Sequence, residues 1–85
     1  MQLYSVYDKK ALTYGPVMSF PMDVIAIRAI EMDINSQKSV MSSYPNDFCL
    51  VRLASFDENT GKLEVLDIPE NVYECANALM RGEQK

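Results

Sequence analysis

The stretch Phe48–Asp57, FCLVRLASFD, decides how this chain is read. Cys49, Val51 and Leu53 alternate with Phe48, Leu50, Arg52 and Phe56, so a strand here is largely apolar on both faces. A strand of that kind belongs in the middle of a sheet. Immediately after it, Glu58-Asn59-Thr60-Gly61 is a tight-turn sequence with glycine where a positive φ is favoured, and Lys62–Leu66 follows as the second strand of a hairpin.

Working back from this hairpin, residues 35–47 hold four serines, two asparagines and a proline, which reads as a connection with one helical turn around Val40-Met41. Before it, Ile27, Ile30 and Ile34 recur at helical spacing with Ala26 alongside, predicting a helix over Pro21–Ile34. Pro21 suits a first helical turn, and Ser19 or Asp23 could cap it. Ile25 and Met32 fall off the main stripe, so this helix is either wedged between two layers or meets a partner. Ala11–Phe20 contains Gly15-Pro16 and reads as an irregular arm, with a short extended piece at Val17–Phe20. Leu3–Asp8 is the first strand, with faces Leu3/Ser5/Tyr7 and Tyr4/Val6/Asp8.

Working forward, a second helix is expected to begin near Asp67 or Pro69. Asp67 and Glu70 have capping-box spacing, Val72, Cys75, Ala76 and Leu79 form a helical stripe, and Gly82 marks its end before a frayed tail. The element order is then β-α-β-β-α. It predicts an α+β fold: a three-stranded mixed sheet of split β-α-β type, strand order 2-3-1, with two helices on one face.

At 85 residues the chain makes a single domain, 1–85, with a thin core. Apolar residues are 48% and charged residues 24%, a balance that folds rather than staying disordered. Sharing apolar surface with a second copy is a natural remedy for so small a core, so a homodimer is expected. No basic stretch followed by an apolar run opens the chain, and Val24–Ile34 is too short and too charged to span a bilayer, so no membrane association is expected. The net charge is −4, with five acids and five bases in residues 1–55 against seven acids and three bases in 56–85. That bias argues against a general coat for nucleic acid, whose binders gain affinity by neutralising phosphates.

The chain has no histidine, which removes the commonest general base and metal ligand together. Its three glycines, Gly15, Gly61 and Gly82, open no helix after a strand, so no phosphate loop exists. Cys49 and Cys75 read as small buried hydrophobes. Asp8, Asp23, Asp33 and Asp47 read as solvated acids, and Asp57-Glu58-Asn59 lacks calcium-loop spacing. No enzyme, no cofactor and no metal is expected. One binding feature stands out: Tyr4 and Tyr7 on the first strand, Lys9 and Lys10 beyond it, Tyr14 on the arm, and Phe48, Arg52 and Phe56 on the central strand. Together these resemble a base-stacking platform with a few phosphate contacts. The same aromatics are also ordinary material for a core or a dimer interface. Arg28 on the first helix pairs with Glu31 or Asp33, or meets a partner.

Several segments taken in order carry a resemblance. They are Leu3-Tyr4-Ser5-Val6-Tyr7-Asp8-Lys9-Lys10-Ala11, Tyr14, Ala26-Ile27-Arg28-Ala29, Tyr44-Pro45-Asn46-Asp47-Phe48 and Phe56-Asp57-Glu58-Asn59-Thr60-Gly61. The chain thereby resembles the small nonstructural protein of gokushoviruses, tailless phages with single-stranded DNA genomes. The resemblance implies a non-capsid accessory protein acting in genome replication or packaging within the cytoplasm of the host bacterium. Two modes of action follow. One is weak single-stranded DNA binding through Tyr4, Tyr7, Lys9, Lys10, Tyr14, Arg28, Phe48, Arg52 and Phe56. The other is binding to a replication initiator, a host factor or the procapsid, with no DNA contact.

Overall fold

In a computed structural model, which describes residues 1–78, the chain is built on one sheet of five antiparallel strands. β1 (Gln2–Asp8) has two short strands on one edge: β2 (Thr13–Tyr14) pairs Tyr7 and Asp8, and β3 (Met18–Phe20) pairs Gln2–Tyr4. On its other edge runs β4 (Phe48–Phe56), which pairs in turn with β5 (Leu63–Glu74). Helix α1 (Asp23–Asn35) and the single turn α2 (Val40–Ser43) lie between β3 and β4 in the chain, followed by a 3-10 turn at Pro45–Asp47.

The three-stranded β-α-β-β-α expectation is overturned in two places. First, β1 and β4 are antiparallel neighbours, not parallel strands with a third between them. The arm causes this. After Gly15-Pro16 the chain folds back on β1 as β3, so β3 rather than β1 feeds the helix. Since β3 and β4 each run antiparallel to β1, they are parallel to each other, and α1 is the crossover between them with β1 in the middle.

Second, Asp67–Glu74 is strand, not helix. Ile68 precedes Pro69 and is pushed toward extended backbone, and Val72-Tyr73 favours a strand once β4 offers an edge. β5 is irregular: Arg52 pairs Glu70 and Ala54 pairs Val65, so Leu53 faces the four residues 66–69, a large bulge. Leu79, the expected helix end at Gly82 and the frayed tail lie outside the described residues.

α1 starts two residues later than the periodicity suggests, with Met22 as N-cap and no side-chain cap. Its stripe is Ala26, Ile30 and Ile34, all buried against Tyr4, Phe48, Leu50 and Cys75. Val6, Met18, Ile27, Val72 and Tyr73 pack around them. Val24, Ile25 and Met32 stay exposed, because a single sheet covers only one side of the helix. Gly61 closes the β4–β5 turn at φ 76°, the conformation the sequence called for. Among the described residues, no helix is long and apolar enough to cross a membrane.

Candidate functional site

Strand alternation divides the six strand-borne side chains of the expected DNA-binding set between two faces of the sheet. Tyr4, Phe48 and Arg52 fall on the α1 side. Tyr4 is fully buried, its ring centroid 5.9 Å from that of Phe20, and its hydroxyl donates to Asp23 Oδ1 at 2.7 Å. Burial, and then the Asp23 hydrogen bond, hold the Tyr4 phenol well above the usual tyrosine range. Phe48 is core. Arg52 sits opposite Tyr4 in the ladder, and its guanidinium reaches Glu70 at 2.6 Å and Asp23 at 3.5 Å.

Tyr7, Tyr14 and Phe56 lie on the opposite face. Tyr7 and Tyr14 are cross-strand partners with centroids 4.6 Å apart, and Tyr14 is half exposed. Phe56 shares their face, since it alternates with Ala54, the partner of Leu3. It is remote from them: Tyr7 pairs Cys49, and the run from there to Phe56 spans about 23 Å at roughly 3.3 Å per residue. The aromatics therefore form no continuous platform.

The bases are also divided. Lys9 Nζ meets Glu74 Oε1 at 2.5 Å, and Glu74 accepts a second bond from Asn71 at 2.6 Å. The Lys9 and Asn71 hydrogen bonds hold the Glu74 carboxyl below its ordinary value, while the Glu74 bond raises Lys9. Lys10 and Arg28 are exposed, and among the described residues neither side chain has an ion pair.

Three carboxylates that define this electrostatic pattern, Asp23, Glu70 and Glu74, went unrecognised as partners of the bases. Asp23 and Glu70 read as helix-capping groups, and Glu74 had no reading. The Ile68-Pro69 step and the β-forming Val72-Tyr73 pair were the available signal, for on a strand beside β4 these glutamates come opposite its residues.

Both thiols are buried and unpaired. Burial pushes Cys75 up to about 12 and raises Cys49, so neither supplies a thiolate at neutral pH. Among the described residues no group of three or more His, Cys, Asp or Glu could hold a metal ion.

Besides the outer face of α1, two apolar features are uncovered among the described residues. One is the β4–β5 hairpin, where Phe56, Leu63, Val65, Leu66 and Ile68 are exposed. The other is a cavity of about 530 Å³ between the arm, the second half of α1 and α2. Val6, Met18, Ile30, Met41 and Phe48 give it apolar walls, and Tyr14 stands on one side. Its charged lining groups are Asp8 and Asp33.

Comparison with known proteins completes the description. The family model described as Phage ORF5 protein matches residues 1–78. A protein of Chlamydia phage 1 described as "Protein ORF5" is 35% identical over 72 residues, covering 79% of this chain and 74% of that protein. These matches agree with the resemblance to small phage proteins read from the sequence. No solved structure matches the chain.

Proposed function

Because the chain belongs to the Phage ORF5 protein family, we propose that it is a phage accessory protein that acts by binding another protein, without catalysis and without gripping DNA. The observation that carries this reading is the neutralisation of its bases. Arg52 is held by Glu70 and Asp23, and Lys9 by Glu74, so two of the four bases of the expected DNA-binding set face carboxylates of the same chain. A phosphate would have to displace those carboxylates. With Tyr4 and Phe48 in the core, few rings are left to stack bases. Exposed apolar side chains on an acidic chain suit a protein partner better than a phosphate backbone.

A second reading keeps single-stranded DNA as the ligand and rests on the tilted Tyr7–Tyr14 ring pair beside exposed Lys10. A titration of fluorescent single-stranded oligonucleotides at low and moderate salt separates the two. The protein-binding reading expects no saturable signal at about 0.1 M salt and high micromolar protein. Micromolar affinity there would overturn it. If that binding weakened in Tyr14→Ala, and in Lys10→Ala with a salt slope flatter by about one, the Tyr7–Tyr14 end would be the DNA site.

A further inference from the structure

We propose that the cavity between the arm and α1 is a docking site for a peptide segment of a partner protein in which an apolar side chain is flanked by Lys or Arg. The proposal rests on the protein-binding reading above and names the site and the chemistry of the partner. Five separate parts of the fold build the cavity: the end of β1, the start of β4, the arm, α1 and α2. Its volume, about 530 Å³, falls in the range of roughly 300–1,000 Å³ typical of ligand sites. Its walls are mainly apolar, so the part of the ligand that enters must be apolar too.

Charge selects the rest of the partner. Among the described residues the two charged groups lining the cavity are both acids, Asp8 and Asp33, and no lysine or arginine lines it. Asp8 Oδ1 accepts the backbone N–H groups of Lys10 and Ala11 at 3.0 and 3.1 Å, which orients the carboxylate in the turn after β1. Its second oxygen has no hydrogen-bond partner among the described residues. Asp33 is exposed on α1, and among the described residues its carboxylate makes no ion pair. Anionic ligands such as nucleotides or fatty acids would face two carboxylates with no compensating base. A leucine, methionine or phenylalanine carried between basic residues satisfies both the walls and the rim. A second copy of this chain fits less well, because its net charge is −4.

The test is an NMR titration of the full chain with the synthetic peptide Gly-Lys-Leu-Lys-Phe-Lys-Gly, and with an analogue carrying Glu at each Lys. The expected result is saturable shifts at Tyr14, Ala29 and Met41 with the basic peptide and at least tenfold weaker binding of the acidic one. Asp33→Asn, on the exposed face of α1, should weaken the basic peptide roughly two- to fivefold, and the double variant with Asp8→Asn further, since each exposed pair is worth only a fraction of a kcal/mol. Amide spectra of each variant without peptide confirm that it is folded. Ala29→Met, which fills the cavity, should abolish the shifts while leaving the protein folded.

Equal shifts with both peptides, shifts elsewhere than the cavity, or none up to millimolar peptide would overturn the proposal. So would shifts at the same residues produced by raising the protein concentration alone, which would make a second copy the occupant. If the peptide fails while oligonucleotides also fail to bind, only this site falls. If oligonucleotides bind at 0.1 M salt, the protein-binding reading falls with it.

Discussion

Strand β4 has two ends that meet different surroundings. At its start, Phe48 and Leu50 lie beneath Ala26, Ile30 and Ile34 of α1, in the same core as Tyr4 and Cys75. At its far end Phe56 is exposed, and across the hairpin Val65 is 68% and Ile68 81% exposed. The residues are equally apolar at both ends, so composition does not explain the difference. Cover does. Among the described residues α1 is the one helix of useful length, and its 13 residues span about 20 Å at 1.5 Å per residue, less than the 9 residues of β4 at roughly 3.3 Å each. The fold is held at the covered end, and the uncovered end is left free for contact.

The sharpest way to break that comparison is to truncate one side chain at the covered end. Leu50→Ala should cost about 2–5 kcal/mol, because the side chain is fully buried and the small core cannot collapse around the void. For a domain of marginal stability that is enough to unfold much of the population, measurable by urea denaturation. A loss under 1 kcal/mol would mean that the core lies elsewhere.

Tyr4→Phe is smaller and tests the polar seam between sheet and helix. It keeps the ring against Phe20 and removes only the hydroxyl that donates to Asp23, so a loss of about 1–2 kcal/mol is expected. The same bond has a pH signature. The phenol is raised in the folded protein, so its contribution is complete below the ordinary tyrosine value of 10.0 and is lost as the pH rises above it. Ultraviolet titration should find the Tyr4 phenol still protonated above pH 10 until the protein unfolds. If every tyrosine ionised near pH 10 in folded protein, the Tyr4–Asp23 bond would be refuted.

What the sequence made legible follows the same division between local and distant causes. β4, the Gly61 turn and the helix with Ile27, Ile30 and Ile34 at helical spacing and Ala26 alongside rest on patterns within a dozen residues, and each stands in the structure, with Ala26 buried more deeply than Ile27. The pairing of β3 with β1 does not, because nothing near Gly15-Pro16 says which edge the arm will find. The helix expected from Asp67 fails over Asp67–Glu74 for a related reason, and helical residues begin only at 76. Val72, carried by the bulged strand against β4, packs on the core, and Cys75, in the turn just past β5, is buried in it. The platform was misplaced because alternation gives two faces for β1 without saying which receives the helix: Tyr4/Val6 goes under α1 and Leu3/Ser5/Tyr7 does not. The cavity had no sequence signal, since its walls come from residues between Val6 and Phe48 that only the fold brings together.

Beside the covered end lies an electrostatic link of intermediate size. Lys9–Glu74 ties the turn after β1 to the end of β5, but both side chains are half exposed, so solvent screening leaves it about 0.5 kcal/mol. Glu74 is held below its ordinary value of 4.5, so its contribution is present above that pH and fades as the pH falls through the lowered value. Glu74→Gln should therefore lower stability slightly at pH 7 and flatten the acid limb of the stability curve. An unchanged acid limb would show that the pair does not persist in solution.

The smallest stability effect is expected at the most exposed apolar residue. Ile68 stands in the four-residue bulge of β5, next to Pro69, and places little of its surface against the rest of the described chain. Ile68→Ser removes apolar area that water already touches, so the transfer term behind the cost at Leu50 has almost nothing to act on. A change within about 0.5 kcal/mol in urea denaturation is expected. The bulge interrupts the regular edge of β5 and Pro69 offers no N–H to a neighbouring strand, so the apolar side chains are presented without an open ladder of hydrogen bonds. A loss of more than 1 kcal/mol in Ile68→Ser would mean that the hairpin end is covered in solution, and the contrast between the two ends of β4 would disappear.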